Sequence, residues 1–182
     1  MKKELDEALC AKYPLIFRDR HANMQTTAMC WGFECGDGWY NIIDVLCGLL
    51  TSEYRGAKSQ YEYIKDKVNQ PTYGFKDNGD PVGKIITQEL IDERKAKMEE
   101  EELKVPVASQ VKEKFGGLRF YVHGATDTHY KYITFAESMS YRTCEECGAP
   151  GKTYTDGWHT TLCDIHAAMA GREEEYEYEE NE

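Results

Sequence analysis

The most constraining feature of this chain is a set of four soft ligands near its C-terminus, Cys144-x2-Cys147-x15-Cys163-x2-His166. Two ligands separated by two residues converge on one point only where the backbone turns sharply around them. Two such pairs can place one sulfur-rich tetrahedron around Zn2+. Four protein ligands leave no position open for water or substrate, so the spacing predicts one structural zinc per chain rather than a catalytic one. Zinc binding of this kind contributes on the order of 10 kcal/mol to folding, enough to support a module with little core of its own.

The residues between the pairs fit that geometry. Gly148 follows the first knuckle, where the chain must turn around the thiolates. Lys152-Thr153-Tyr154 and Trp158 to Leu162 can pair as short strands across Asp156-Gly157, a favoured hairpin turn. Asp164 to Ala170 reads as a helix with His166 in its first turn. Knuckle, hairpin and helix resemble a treble-clef finger or zinc ribbon over about residues 143–170. The module is not basic, which disfavours a DNA-binding finger, and His159 alone does not supply the extra histidines and asparagine of an HNH-type nuclease. Seven cysteines without an export signal read as thiols and metal ligands rather than disulfides.

Charge is unevenly placed. The net charge of −11 includes residues 172–182, which hold seven glutamates and one arginine; without them 21 basic and 26 acidic residues remain, a net charge of −5. Residues 171–182 therefore read as a solvated acidic tail. The body is only mildly acidic, which disfavours nucleic acid as a direct partner, because phosphate contact needs clustered Lys and Arg. No apolar run reaches the roughly 18 residues needed to span a bilayer, and the N-terminus lacks a signal peptide's apolar stretch. The expectation is a soluble, cytoplasmic protein.

The body, residues 1–142, reads as α+β: a helical body with a β-hairpin, followed by the zinc-ribbon- or treble-clef-like module. Leu5, Ala8 and Leu9 mark a helix from Lys3 to Lys12. Asp37 is a plausible N-cap for a core helix with Trp39, Ile42, Ile43, Leu46 and Leu50 on one stripe. Tyr54, Ala57, Tyr61, Ile64 and Val68 predict a helix from Ser52 to Asn69. Pro71 to Gly83 reads as a loop or short hairpin, and Thr87 to Leu103 as an exposed helix, so residues 52–103 could be a peripheral insertion. Val105, Val107, Ser109 and Val111 alternate with polar neighbours, as do Leu118, Phe120 and Val122. Gly116-Gly117 suits the two-residue turn between them. A helix from Thr128 to Tyr141 presents Tyr132, Phe135, Ala136 and Met139 on one face.

Two segments could bind a ligand. In the glycine-rich run from Trp31 to Tyr40, Trp31 or Trp39 could stack a planar molecule while Glu34 or Asp37 orients it; equally, the aromatics could anchor the core. On the hairpin, Lys114 and Arg119 could hold a phosphate or carboxylate, or pair with Glu113 and solvent. Cys10, Cys30, Cys35 and Cys47 read as buried thiols rather than a second metal site. His123 and His129 could act as a base, but nothing supplies a nucleophile, and no catalytic residue is assigned.

The tryptophan–glycine segment at 31–39, the stretch Val111-Lys112-Glu113-Lys114-Phe115-Gly116-Gly117-Leu118-Arg119-Phe120-Tyr121 and the terminal module with Gly157-Trp158 and Thr161-Leu162-Cys163 resemble a group of small zinc-binding proteins common in bacteriophage and bacterial genomes. That resemblance implies a phage or bacterial origin, hence the cytoplasm of a bacterial host cell, and a zinc-binding end, and carries over no activity. The leading expectation is a non-enzymatic phage-type accessory protein that binds a host protein or a small ligand, one version being inhibition of a host defence system. The alternatives are an enzyme acting on a nucleotide or small metabolite between Trp31–Trp39 and the 111–121 hairpin, and a nucleic-acid-binding adaptor.

Overall fold

The computed structural model describes residues 1–71, 74–75 and 81–172, and its organising element is the hairpin of β4 (Val107–Lys114) and β5 (Gly117–His123). The strands pair antiparallel with Lys114 opposite Gly117, so the two turn residues are Phe115 and Gly116. Both have positive φ, 55° and 76°, as a type I′ turn requires. The expected Gly116-Gly117 turn is thus one residue out. Gly117 belongs to the strand, and its missing side chain has a packing reason: a β-carbon there would collide with the Tyr141 ring.

Alternation on β4 also breaks. The register shifts between Ala108 and Gln110, leaving Ser109 as a bulge, and Ala108 and Val111 are both fully buried three residues apart. The two-residue strand β1 (Phe33–Glu34) adds to β4 in parallel, placing Phe33 beside Val111 and Glu34 beside Lys112. One face of this sheet carries a buried row, Phe33, Val111 and Phe120. Phe17 meets Phe33 and Phe120 edge to face, at 5.0 and 6.3 Å between ring centroids.

Helix α1 (Lys3–Lys12) and α2 (Tyr40–Leu50) complete this core with Leu9, Trp39, Ile43, Leu46 and Leu50. Asp37 does not cap α2. A 3-10 turn over Asp37–Trp39 precedes that helix, and the Asp37 carboxylate accepts the Lys2 backbone N–H at 2.7 Å, where α1 begins. Helix α3 (Ser52–Ile64) ends earlier than its periodicity suggests, and Val68 is exposed. It packs with α4 (Gln88–Leu103) over a small separate cluster of Ile64, Ile86 and Ile91. Between them β2 (Gly74–Phe75) and β3 (Pro81–Val82) pair as a short hairpin.

Helix α5 (Asp127–Ser140) lies along the free edge of β5. Its buried residues are Ile133, Ala136 and Ser140, so the expected face of Tyr132, Phe135, Ala136 and Met139 is turned partly outward. The cause is polar. Edge amides need acceptors, and Leu118 N–H donates to Ser140 Oγ (2.8 Å) while Phe120 N–H donates to Glu137 Oε1 (2.9 Å). Those two bonds set the rotation of α5.

The chain closes with β6 (Lys152–Tyr154), β7 (Thr160–Leu162) and α6 (Asp164–Met169). No helix among the described residues is long and apolar enough to cross a membrane. The bulk of the expected acidic tail, residues 173–182, lies outside the described residues.

Candidate metal centre

Two local devices bring the four ligands together. After Cys144 the chain doubles back: Gly148 N–H donates to Cys144 O (2.9 Å) with Gly148 at φ 77°, and Cys144 N–H donates to Ala149 O (2.7 Å). After β7, α6 starts behind Cys163, so His166 stands one turn along from it. The ligand atoms of Cys144, Cys147, Cys163 and His166 all lie within 4.8 Å of one another. His166 Nδ1 is 3.5 Å from Cys144 Sγ and 3.2 Å from Cys163 Sγ, and the sulfurs of Cys147 and Cys163 are 3.8 Å apart. That last separation is nearly twice a disulfide bond of about 2.05 Å, so these are thiols. The His166 backbone amide, aided by its ring, brings Cys163 down to about 6 against the effect of burial. A thiol so placed is readily a thiolate, the form that ligates. These four residues could hold a metal ion.

The first knuckle is pressed onto the body. Gly38 N–H donates to Glu145 O (2.7 Å), Gly36 N–H to Glu145 Oε1 (2.8 Å), and Trp39 Nε1–H to Thr143 O (2.8 Å). The approach is close enough to demand glycine: a β-carbon on Gly38 would lie 2.7 Å from Glu145 O, and closer still to Cys144 O and Gly148 N. Burial pushes the half-buried Glu145 carboxyl above its ordinary range, while the Gly36 amide pulls it back. From the other side the tip of the β4–β5 hairpin meets β7. Thr161, fully buried, donates to Gly116 O at 2.6 Å and sits 2.8 Å from Thr153 Oγ1. The tryptophan–glycine run, the Phe-Gly-Gly turn and the cysteine module, far apart in sequence, therefore meet at one place.

The predicted ligand-binding residues are not gathered in that way. Trp39 is 0 % exposed and offers no face to a planar ligand, which corrects that expectation: its indole closes the core and ties down Thr143. Trp31 is 65 % exposed. Asp37 is held below the usual carboxylate range by the Lys2 backbone amide and ammonium group, the latter at 3.0 Å. Glu34, Lys112 and Arg119 are neighbours across three strands on the sheet face away from the core, and Glu34 accepts from Gln110 Nε2 (3.0 Å). Arg119 is occupied: it donates to Leu118 O (2.7 Å) and Tyr141 OH (2.6 Å). The Lys114 ammonium lies 5.3 Å from the centre of the Phe115 ring.

The other cysteines remain thiols. Burial pushes Cys10 and Cys35 up to about 12, and among the described residues no second group of His, Cys, Asp or Glu gathers as the four ligands do. His129 serves α5, accepting the Thr126 N–H at 3.3 Å in a capping box.

Sequence reasoning missed Glu145, Thr161 and the paired role of Gly36 and Gly38. The signal was present in Gly-x-Gly directly before a tryptophan, which marks close backbone approach as readily as it marks a ligand loop. It also missed Asp6 and Arg20, a nearly buried bidentate pair at 3.0 and 2.8 Å, with Arg20 also donating to Cys30 O. Gly32, at φ 83°, leaves room for that pair. Compared with known proteins, the chain matches no family model, no curated protein and no solved structure.

Proposed function

We propose that Cys144, Cys147, Cys163 and His166 bind one structural Zn2+, closing a zinc-ribbon- or treble-clef-like module, and that the chain is a non-enzymatic accessory protein of phage type that binds a host protein. The ligand geometry carries the first part. Tetrahedral Zn2+ with sulfur at about 2.3 Å and nitrogen at about 2.0–2.1 Å calls for S···S edges of about 3.8 Å and S···N edges of about 3.6 Å. Here the Cys147 and Cys163 sulfurs are 3.8 Å apart, His166 Nδ1 lies 3.5 and 3.2 Å from the sulfurs of Cys144 and Cys163, and all four ligand atoms lie within 4.8 Å of one another. Three thiols and one imidazole favour zinc over hard cations, which take oxygen ligands.

Four side chains would fill the coordination sphere, and the first knuckle is tied to the body by hydrogen bonds from Gly36, Gly38 and Trp39, which supports a bracing role rather than chemistry. An enzyme with Trp39 as a pocket wall loses support, since that ring lies in the core. What remains for function is the surface, and a net charge of −11 favours a partner with a basic face. Inhibition of a host defence protein is one form this would take.

Native mass spectrometry of the purified protein should find one zinc per chain, and Cys144→Ser should lose the zinc and the fold of residues 143–170. A folded, fully metallated Cys144→Ser variant would overturn the metal assignment. For the binding role, affinity capture from bacterial lysate should return a protein at stoichiometric ratio. Recovery of the bare chain by capture and by native mass spectrometry alike would refute it.

A further inference from the structure

The outward turn of α5 leaves an apolar surface uncovered. Ile42, Val45 and Leu49 of α2 face Tyr132, Phe135 and Met139 of α5 across a groove of about 290 Å³, and Asn41 is the only lining residue that is neither apolar nor aromatic. Val45 and Phe135 are each 64 % exposed. Soluble proteins rarely leave large contiguous apolar patches exposed, and such a patch is a candidate interaction site.

The groove has a length and a charged end. Ile42 to Leu49 and Tyr132 to Met139 each cover two helical turns, about 10 Å. At one end Leu49 and Tyr132 also line a second cleft, of about 210 Å³, whose wall includes Glu53, Glu101, Lys104 and His129. Glu101 is engaged by Lys97 (2.5 Å) and Lys104 (3.0 Å). Glu53 has no ion-pair or hydrogen-bond partner among the described residues. The surface thus runs from a two-turn apolar trough to an unpaired carboxylate.

We infer that this groove takes an amphipathic helix of a partner protein, one with apolar side chains at i, i+3 or i+4 and i+7 and a Lys or Arg about one turn beyond, opposite Glu53. Apolar anchors at that spacing cover two turns, the length of the trough. The charge of the chain favours a basic helix, and the glutamate-rich residues 173–182 would bring like charge to Glu53. A second copy is disfavoured by charge, because it would bring another chain of net charge −11 to Glu53. The inference rests on reading the chain as a protein-binding module, and it assigns the face and the chemistry.

The test uses the metal-loaded full chain and a synthetic amphipathic peptide of about four turns, with leucines at i, i+4 and i+7 and two lysines in the next turn. A control peptide carries glutamates in place of the lysines. Fluorescence anisotropy should show the lysine peptide binding roughly tenfold more tightly than the control. Phe135→Ser should abolish binding without changing the circular dichroism spectrum, and Glu53→Lys should remove or reverse the preference. Equal affinity for both peptides, binding indifferent to Phe135→Ser, or no binding of either peptide overturns the inference. A dimer that Phe135→Ser converts to monomer would assign the groove to a second copy and likewise overturn it. If lysate capture returns a partner while neither peptide binds, the groove fails and the protein-binding reading stands.

Discussion

Gly38 and Cys144 meet backbone to backbone: a side chain on Gly38 would collide with the carbonyl oxygen of Cys144, while the Gly38 amide donates to Glu145 O at 2.7 Å. The segment that carries the four candidate metal ligands is therefore joined to the helical body at the peptide of Cys144, the first of them. The candidate metal site and the body packing share one stretch of backbone, which makes any coupling between them measurable.

Gly38→Ala should cost about 3 kcal/mol or more, at the upper end of what overpacking costs, because the atoms in the way are backbone and cannot rotate aside. Denaturant melts should show this loss while metal content stays at wild-type level, since the clash falls on the Cys144 carbonyl and leaves the three thiols and the imidazole in place. Wild-type stability in Gly38→Ala would refute the close contact.

Removing the metal with a zinc-selective chelator should free the knuckle before the core. Hydrogen exchange should quicken at Gly38, Cys144 and Glu145, whose amides are bonded within or onto the module, and stay slow at Ile43 and Leu46 in α2. Exchange unchanged by chelation would contradict a metal-braced module.

Asp6 should make stability depend on acid. Burial raises its pKa, but the hydrogen bonds from Arg20 and Cys10 outweigh that and bring it below its ordinary 3.8. A lowered folded pKa means the unfolded chain binds the proton more readily, so the stabilisation is full above about 3.8 and is lost as pH falls through the lower folded value. Asp6→Asn should lose roughly 3 kcal/mol at neutral pH by leaving Arg20 without its counter-charge. The difference from wild type in thermal melts should shrink below pH 4; a constant difference would exclude this cause.

Ser140→Ala should cost about 1–3 kcal/mol, because the Leu118 amide it accepts is buried and has no water to turn to. Glu137→Gln keeps an acceptor for Phe120 and should cost less. Urea melts showing the reverse order would argue against edge capping as the force that orients α5.

Phe115→Asn should gain about 0.5–1 kcal/mol, since Phe115 holds φ at 55°, a region that asparagine enters more cheaply. Its ring meets His159 edge to face with centroids 6.1 Å apart, and a measured loss of stability would mean that this contact is worth more than the backbone strain.

Much of the architecture was legible because it is local. Helix α1 and the core stripe of α2 follow from periodicity, and the hairpin from two alternating runs around glycine. Legibility failed where a polar demand from elsewhere overrode the local pattern. Periodicity on α5 favours Tyr132, Phe135 and Met139 as its inner face, yet the unpaired amides of Leu118 and Phe120 claim Glu137 and Ser140 and rotate the helix. Ser109 fits the alternation by type, but the bulge there changes which residues of β4 point inward. Asp37 has the chemistry of a helix cap and spends it on Lys2, at the start of a different helix.

The sequence by itself determined which four residues could hold a metal ion, because metal geometry constrains ligand types and spacing within a short stretch of chain. It also determined that the fold mixes helices with a tight hairpin. Only the tertiary structure decided what the glycines at 36 and 38 are for and which face of α5 meets solvent. Those depend on atoms more than a hundred residues away along the chain for the glycines, and on a neighbouring strand for the helix. Spacing along a sequence reports what one segment can do alone; the distance between two backbones is set only when both have folded.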